Sequence, residues 1–121
     1  MYKRQELEPG HFWLGSFPQI TPDEDTWGVV KALEPTSGKV KWEFKFQTPT
    51  WAGTLSTAGG LVFVGDMEGY LTALDADTGK SLWRFQTGAP IVTAPITYMI
   101  GKKQYLAIAA GSALYTFALN N

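Results

Sequence analysis

The chain has 121 residues, of which 45% are hydrophobic, 14% aromatic and only 17% charged, with a formal net charge of −1. That content can build a core, and the absence of a basic stripe argues against a nucleic-acid partner. With no cysteine, disulfides, thiolate metal sites and cysteine nucleophiles are excluded within this chain, and no apolar run approaches the ~20 residues of a membrane span.

In chain order, residues 1–10 are polar, end in Pro9-Gly10 and read as a tail or outer loop. They lack the apolar run of a signal peptide. Either the protein is cytosolic or its targeting signal lies outside this chain. His11 to Phe17 predicts a short aromatic strand. Pro18 to Asp25, with two prolines and an acidic run at 23–25, predicts a loop. Thr26 to Leu33 predicts a strand, followed by the turn Glu34 to Gly38. Lys39 to Phe46 alternates strictly, with Val40, Trp42, Phe44 and Phe46 on one face and Lys39, Lys41, Glu43 and Lys45 on the other. Such a strand has one buried and one wet face and belongs on an outer rim. Gln47 to Gly53 is a connection that carries Trp51. Four strands follow in meander order: Thr54 to Ala58, Leu61 to Gly65, Tyr70 to Leu74 and Lys80 to Gln86. The second is continuously apolar, which predicts burial on both faces. Val92 to Ile100, Gln104 to Ala110 and Ala113 to Leu119 complete the list of predicted strands.

Two stretches repeat. Lys31 to Phe44, KALEPTSGKVKWEF, returns as Thr72 to Phe85, TALDADTGKSLWRF, at the 41-residue spacing from Trp42 to Trp83. A hairpin signature at a period near 40 marks a propeller blade. The expected fold is all-β: a partial β-propeller with one complete four-stranded blade flanked by two incomplete ones. Residues 1–47 end one blade, 48–88 form the complete blade, and 89–121 give three strands of the last. A third copy of the repeat begins at Ala118-Leu119, and Asn120 falls where Asp75 stood. Apolar faces at both ends and an open strand edge predict self-association, or docking to further blades.

Trp42 and Trp83 read as structural, each burying on the order of 200 Å² with its N–H on a carbonyl. Trp51 has two readings. It is an ordinary loop tryptophan, or, beside the small Ala52 and Gly53, a face for a flat ligand. Asp75, Asp77 and Gly79 resemble the start of a calcium loop but lack its later glutamate, so a hairpin turn capped by Asp explains them. Asp66, Glu68 and the acidic run at 23–25 read as turn and surface residues. His11 is the only histidine and has no triad or zinc pattern around it. No glycine-rich phosphate loop is present.

The two copies of A-x-D/E-x-x-S/T-G-K-x-x-W resemble the tryptophan-docking motif of pyrroloquinoline quinone (PQQ) dehydrogenases. Thr48 to Tyr98 resembles the C-terminal blades of the methanol/ethanol dehydrogenase branch of that family, and KKQYLAIAAGSALYTFAL resembles its closing strands. The resemblance implies an eight-bladed periplasmic quinoprotein that oxidises a primary alcohol. It implies PQQ with Ca²⁺ or a lanthanide, and cytochrome c as electron acceptor. It places Trp51 near the edge of PQQ. The family's catalytic Asp, metal-holding Glu and Asn, and adjacent-cysteine disulfide have no counterparts here. The chain is therefore expected to bear no catalytic or metal residue, to bind no cofactor alone and to be inactive alone. The alternative is a non-catalytic propeller module for binding or assembly.

Overall fold

Alternating and continuous apolar runs become nine strands in the computed structural model, which describes residues 6–11, 13 and 26–119. Among the described residues all regular structure is β. Sheet I pairs β1 (Gly28–Leu33) with β2 (Val40–Phe46). Sheet II runs in order through β3 (Thr54–Ser56), β4 (Leu61–Gly65), β5 (Tyr70–Asp75) and β6 (Ser81–Gln86). Sheet III runs through β7 (Ile96–Ile100), β8 (Lys103–Ala110) and β9 (Ala113–Ala118). Every pairing is antiparallel between sequence neighbours, so short turns suffice and no crossover is needed.

Sheet II lies between the other two. Leu71 packs with Ile91 and with Leu106, Ile108 and Ala110 of sheet III. Val64 and Leu74 pack with Phe46 of sheet I. Leu71 and Leu74 leave opposite faces of β5, which is why Leu71 to Leu74 are all buried. The double burial expected for Leu61 to Gly65 is complete only at Val64 and Gly65; Leu61, Val62 and Phe63 are half-buried.

The hairpins of sheets I and II have the same register. Ala32 faces Trp42 and Ala73 faces Trp83, and each hairpin slips immediately afterwards, at Leu33 and Leu74. Their turns close alike. Gly38 N–H donates to Glu34 O and Gly79 N–H to Asp75 O, at 2.8 and 2.9 Å. Both glycines are left-handed, with φ of 67° and 72°, a conformation that penalises any Cβ.

Two predicted strands shorten. Thr54 to Ala58 ends at Ser56, because Thr57 N–H closes the turn onto Leu61 O. Val92 to Ile100 begins only at Ile96. Pro95 has no N–H to give a ladder, and Ile91 N–H is spent on Asp66 O in sheet II. Apart from His11 and Trp13, the strand predicted over 11–17 lies outside the described residues, as do the loop over 18–25 and Asn120.

Candidate cofactor-contact site

Residues 47–53 lead from β2 of sheet I into β3 of sheet II. They cross the end of sheet II at which β4 turns into β5. Three contacts hold this connection. Thr50 Oγ1 donates to Gly65 O at 2.7 Å and accepts Ala52 N–H at 3.3 Å. A Cβ on Gly28 would lie 2.8 Å from Thr48 O and 2.9 Å from Thr50 N. A Cβ on Gly53 would lie 2.7 Å from Ala94 Cβ. Backbone therefore approaches backbone at Gly28, and the Ala94 methyl approaches backbone at Gly53, at distances only glycine permits.

Trp51 rises from this fixed connection with 76% of its surface exposed. Among the described residues its ring makes no aromatic contact and its indole no hydrogen bond. An indole left bare on an anchored backbone is a ready stacking surface.

The rest of this end is a hydrogen-bonded lattice. Asp66 O accepts N–H groups of Gly69 at 3.2 Å and Ile91 at 3.0 Å. Thr87 Oγ1 donates to backbone oxygens of the 69–89 region, at Gly69 (2.8 Å) and Ala89 (2.9 Å). Tyr115 of sheet III donates its hydroxyl to Thr87 O at 2.5 Å. Asp66 was expected on the surface and is instead 2% exposed. Its Oδ1 accepts Tyr70 N–H at 2.8 Å, and its Oδ2 lies 3.7 Å from Arg84 Nη2. The Arg84 guanidinium sits 3.9 Å from the centre of the Tyr70 ring. The turn residue is thus an internal cap.

The opposite end carries the joint between sheets I and II. Trp42 Nε1 donates to Ala76 O at 2.9 Å. Its ring lies against Gly79, where a Cβ would meet ring atoms at 2.6 Å. Asp75 does what a turn cap does: Oδ1 accepts Asp77 N–H (3.1 Å), Thr78 N–H (2.8 Å) and the Thr78 hydroxyl (2.8 Å). The Thr78 hydroxyl bond, followed by its N–H bond, holds the Asp75 carboxyl below its ordinary 3.8. Trp83 differs from Trp42. It stacks on Phe85 and meets Phe117 edge-on, yet stays 40% exposed. Among the described residues its indole N–H has no protein acceptor.

Among the described residues no three His, Cys, Asp or Glu side chains converge as a metal site. Of the residues singled out from sequence, Trp51 and Asp66 lie at one end of the molecule, Asp66 as a buried cap, and Trp42 meets the Asp75 to Gly79 turn at the other. Gly53, read from sequence as a place of close approach, is one; Thr50 and Gly28 were missed. Glycine at a position that needs no turn was the available signal for Gly28; Thr50 offered none.

Open antiparallel sheets in meander order, packed face to face, make this part of a β-propeller. The chain belongs to the PQQ family described as glucose/ethanol/alcohol dehydrogenase, beta-propeller domain, whose profile matches residues 23–106. It is 51% identical over 88 residues to a quinoprotein ethanol dehydrogenase of Pseudomonas aeruginosa, covering 73% of this chain and 14% of that protein. It is 36% identical over 108 residues to methanol dehydrogenase (cytochrome c) subunit 1 of Paracoccus denitrificans, covering 84% of this chain and 17% of that one. The crystal structure of quinohemoprotein alcohol dehydrogenase from Comamonas testosteroni superposes with a TM-score of 0.70 at 38% identity, covering 77% of this chain and 14% of that chain. The chain thus spans less than a fifth of the length of these relatives.

Proposed function

We infer that the chain is the C-terminal portion of a PQQ-dependent alcohol dehydrogenase that oxidises a primary alcohol. Residues 1–47 end one blade, 48–88 form a complete blade, and 89–121 give three strands of the last. Trp42 docks one blade on the next. The family relationship supports a periplasmic whole protein using PQQ with Ca²⁺ or a lanthanide and passing electrons to cytochrome c. The observation that carries a cofactor role is the bare indole of Trp51 on a connection anchored by the Thr50 bonds.

The residues present fit one face of a planar quinone. Trp51 offers an exposed aromatic face, and Ala52 and Gly53 beside it carry little or no side chain. When bound, PQQ supplies the two-electron acceptor. This chain's residues stack on one side of it and exclude water from that side. The base, metal ligands and opposite wall come from other parts of the protein, so the chain alone is inactive and holds no cofactor tightly. Mixing it with PQQ, Ca²⁺, ethanol and a dye acceptor should give no dye reduction above a protein-free control. Turnover there would overturn that statement. Grafted in place of the matching segment of the P. aeruginosa enzyme, the chain should restore PQQ-dependent ethanol oxidation. A folded graft that binds PQQ nowhere would instead favour a non-catalytic propeller module.

In isolation the chain associates with itself, a second copy covering the surfaces that neighbouring blades would bury. Ile96, Met99, Ile100 and Leu114 of sheet III and Trp83 of sheet II are exposed, and among the described residues β9 has an unpaired outer edge. Light scattering at working concentration should show a mass above that of the 13.3 kDa chain. A stable monomer would contradict it.

A further inference from the structure

We propose that Thr50 is a positioning residue, whose hydroxyl sets the direction in which Trp51 presents its ring to a flat ligand. The proposal rests on the cofactor reading of Trp51. Its evidence is the pair of bonds made by one oxygen. Thr50 Oγ1 accepts the N–H of Ala52, so the hydroxyl closes a small ring whose middle residue is Trp51. The same oxygen donates to Gly65 O at the last residue of β4. The first bond fixes the backbone on both sides of Trp51. The second fixes that ring to Gly65, the buried last residue of β4, which pairs with Leu71 of β5.

Neighbouring contacts prevent the connection from relaxing elsewhere. Gly28 closes on Thr48 O and Thr50 N, and Gly53 closes on Ala94. The connection is gripped from sheet I, from sheet II and from the 91–95 segment that leads into β7. Within that grip only one side chain donates a hydrogen bond to the backbone of sheet II, and it belongs to the residue before Trp51. An exposed indole on a loose connection would lose orientational freedom on stacking. On a connection already ordered, that cost is small. Valine at position 50 keeps the shape and removes both bonds; serine keeps both bonds and removes a methyl.

The test uses the full chain carrying 5-fluorotryptophan, which gives one fluorine NMR line for each of its 5 tryptophans; W51F assigns the Trp51 line. Without ligand, T50V should move the Trp51 line most of the way to its position in urea and leave the Trp42 line in place, while T50S stays at the wild-type position. A T50V line that does not move overturns the proposal, as does a T50S line displaced as far as that of T50V. Should T50V unfold and move every line, amide exchange in the wild type decides. Protection of the Ala52 N–H by about tenfold or more over an open chain supports the proposal, and free exchange overturns it. In a second arm PQQ is added to the chain grafted into the P. aeruginosa enzyme, where the rest of the cofactor site is present and W51F again assigns the Trp51 line. The PQQ-induced shift of the Trp51 line per unit concentration should fall about threefold in T50V and return in T50S, the size expected from modest disordering of one side chain. If PQQ leaves the Trp51 line of the wild-type graft in place, the cofactor reading fails, and the ligand-free arm still decides the role of Thr50.

Discussion

Gly38 and Gly79 occupy the same place in two turns of the same register, yet only Gly79 has a tryptophan over it. Both have positive φ, so alanine at either incurs the left-handed penalty of about 1–2 kcal/mol. A Cβ on Gly38 meets nothing within 4 Å, whereas one on Gly79 lies 2.6 Å from Trp42 Cδ2 and Cε3. G79A must therefore also displace the indole, overpacking worth about 1–3 kcal/mol. It also strains the Trp42 Nε1 bond to Ala76 O, a bond whose loss costs about 1 kcal/mol. The prediction is that G38A destabilises by about 1–2 kcal/mol and G79A by about 3–5 kcal/mol. Urea unfolding monitored by tryptophan fluorescence measures both. In a W42A background G79A should fall to the cost of G38A, a coupling of about 2–3 kcal/mol, within the range for residues in contact. Equal costs for the two glycines, or a G79A cost unchanged by W42A, would refute the claim that this joint holds sheets I and II together.

Other perturbations test the remaining packing. A Cβ on Gly65 would lie 2.2 Å from Ile91 Cγ2, so G65A should destabilise by about 1–3 kcal/mol; the urea midpoint should recover in part in G65A/I91A, which opens the space. Y115F removes the hydroxyl bond to Thr87 O and should cost about 0.5–1.5 kcal/mol, read as a lower thermal midpoint. Asp75 titrates below its ordinary value in the folded chain, so its contribution is present above pH 3.8 and is lost as pH falls through the lowered folded value. The thermal midpoint gap between wild type and D75A should accordingly be widest near neutral pH and close in acid; a gap independent of pH would contradict the assigned cap.

Strand identity was legible because the signals were local. The alternation of Lys39 to Phe46 and the two turns closed by Gly38 and Gly79 are properties of consecutive residues. What was not legible depends on partners distant in sequence. Asp66 looks like any turn aspartate; it is buried because Ile91 and Tyr70 take its backbone and side-chain oxygens and Arg84 lies beside it. β7 lost its first residues because Ile91 is held by sheet II, which no periodicity records. At the candidate site, Trp51 stood out as an aromatic between small residues, and the structure leaves it bare. Thr50 could not be recognised, since its two bonds exist only when 47–53 lies against the end of β4. Trp83 had the same local text as Trp42 and a different environment, because only Trp42 has a described hairpin turn beneath it.

The central claim is that this chain brings one wall, Trp51, to a quinone otherwise held by the rest of a dehydrogenase. Equilibrium PQQ binding by the graft into the P. aeruginosa enzyme tests it most directly, comparing Trp51 with W51A. Aromatic stacking of about 1–3 kcal/mol predicts an affinity loss of about 5-fold to 150-fold for W51A with the fold intact. Equal affinity in the two grafts would contradict the claim.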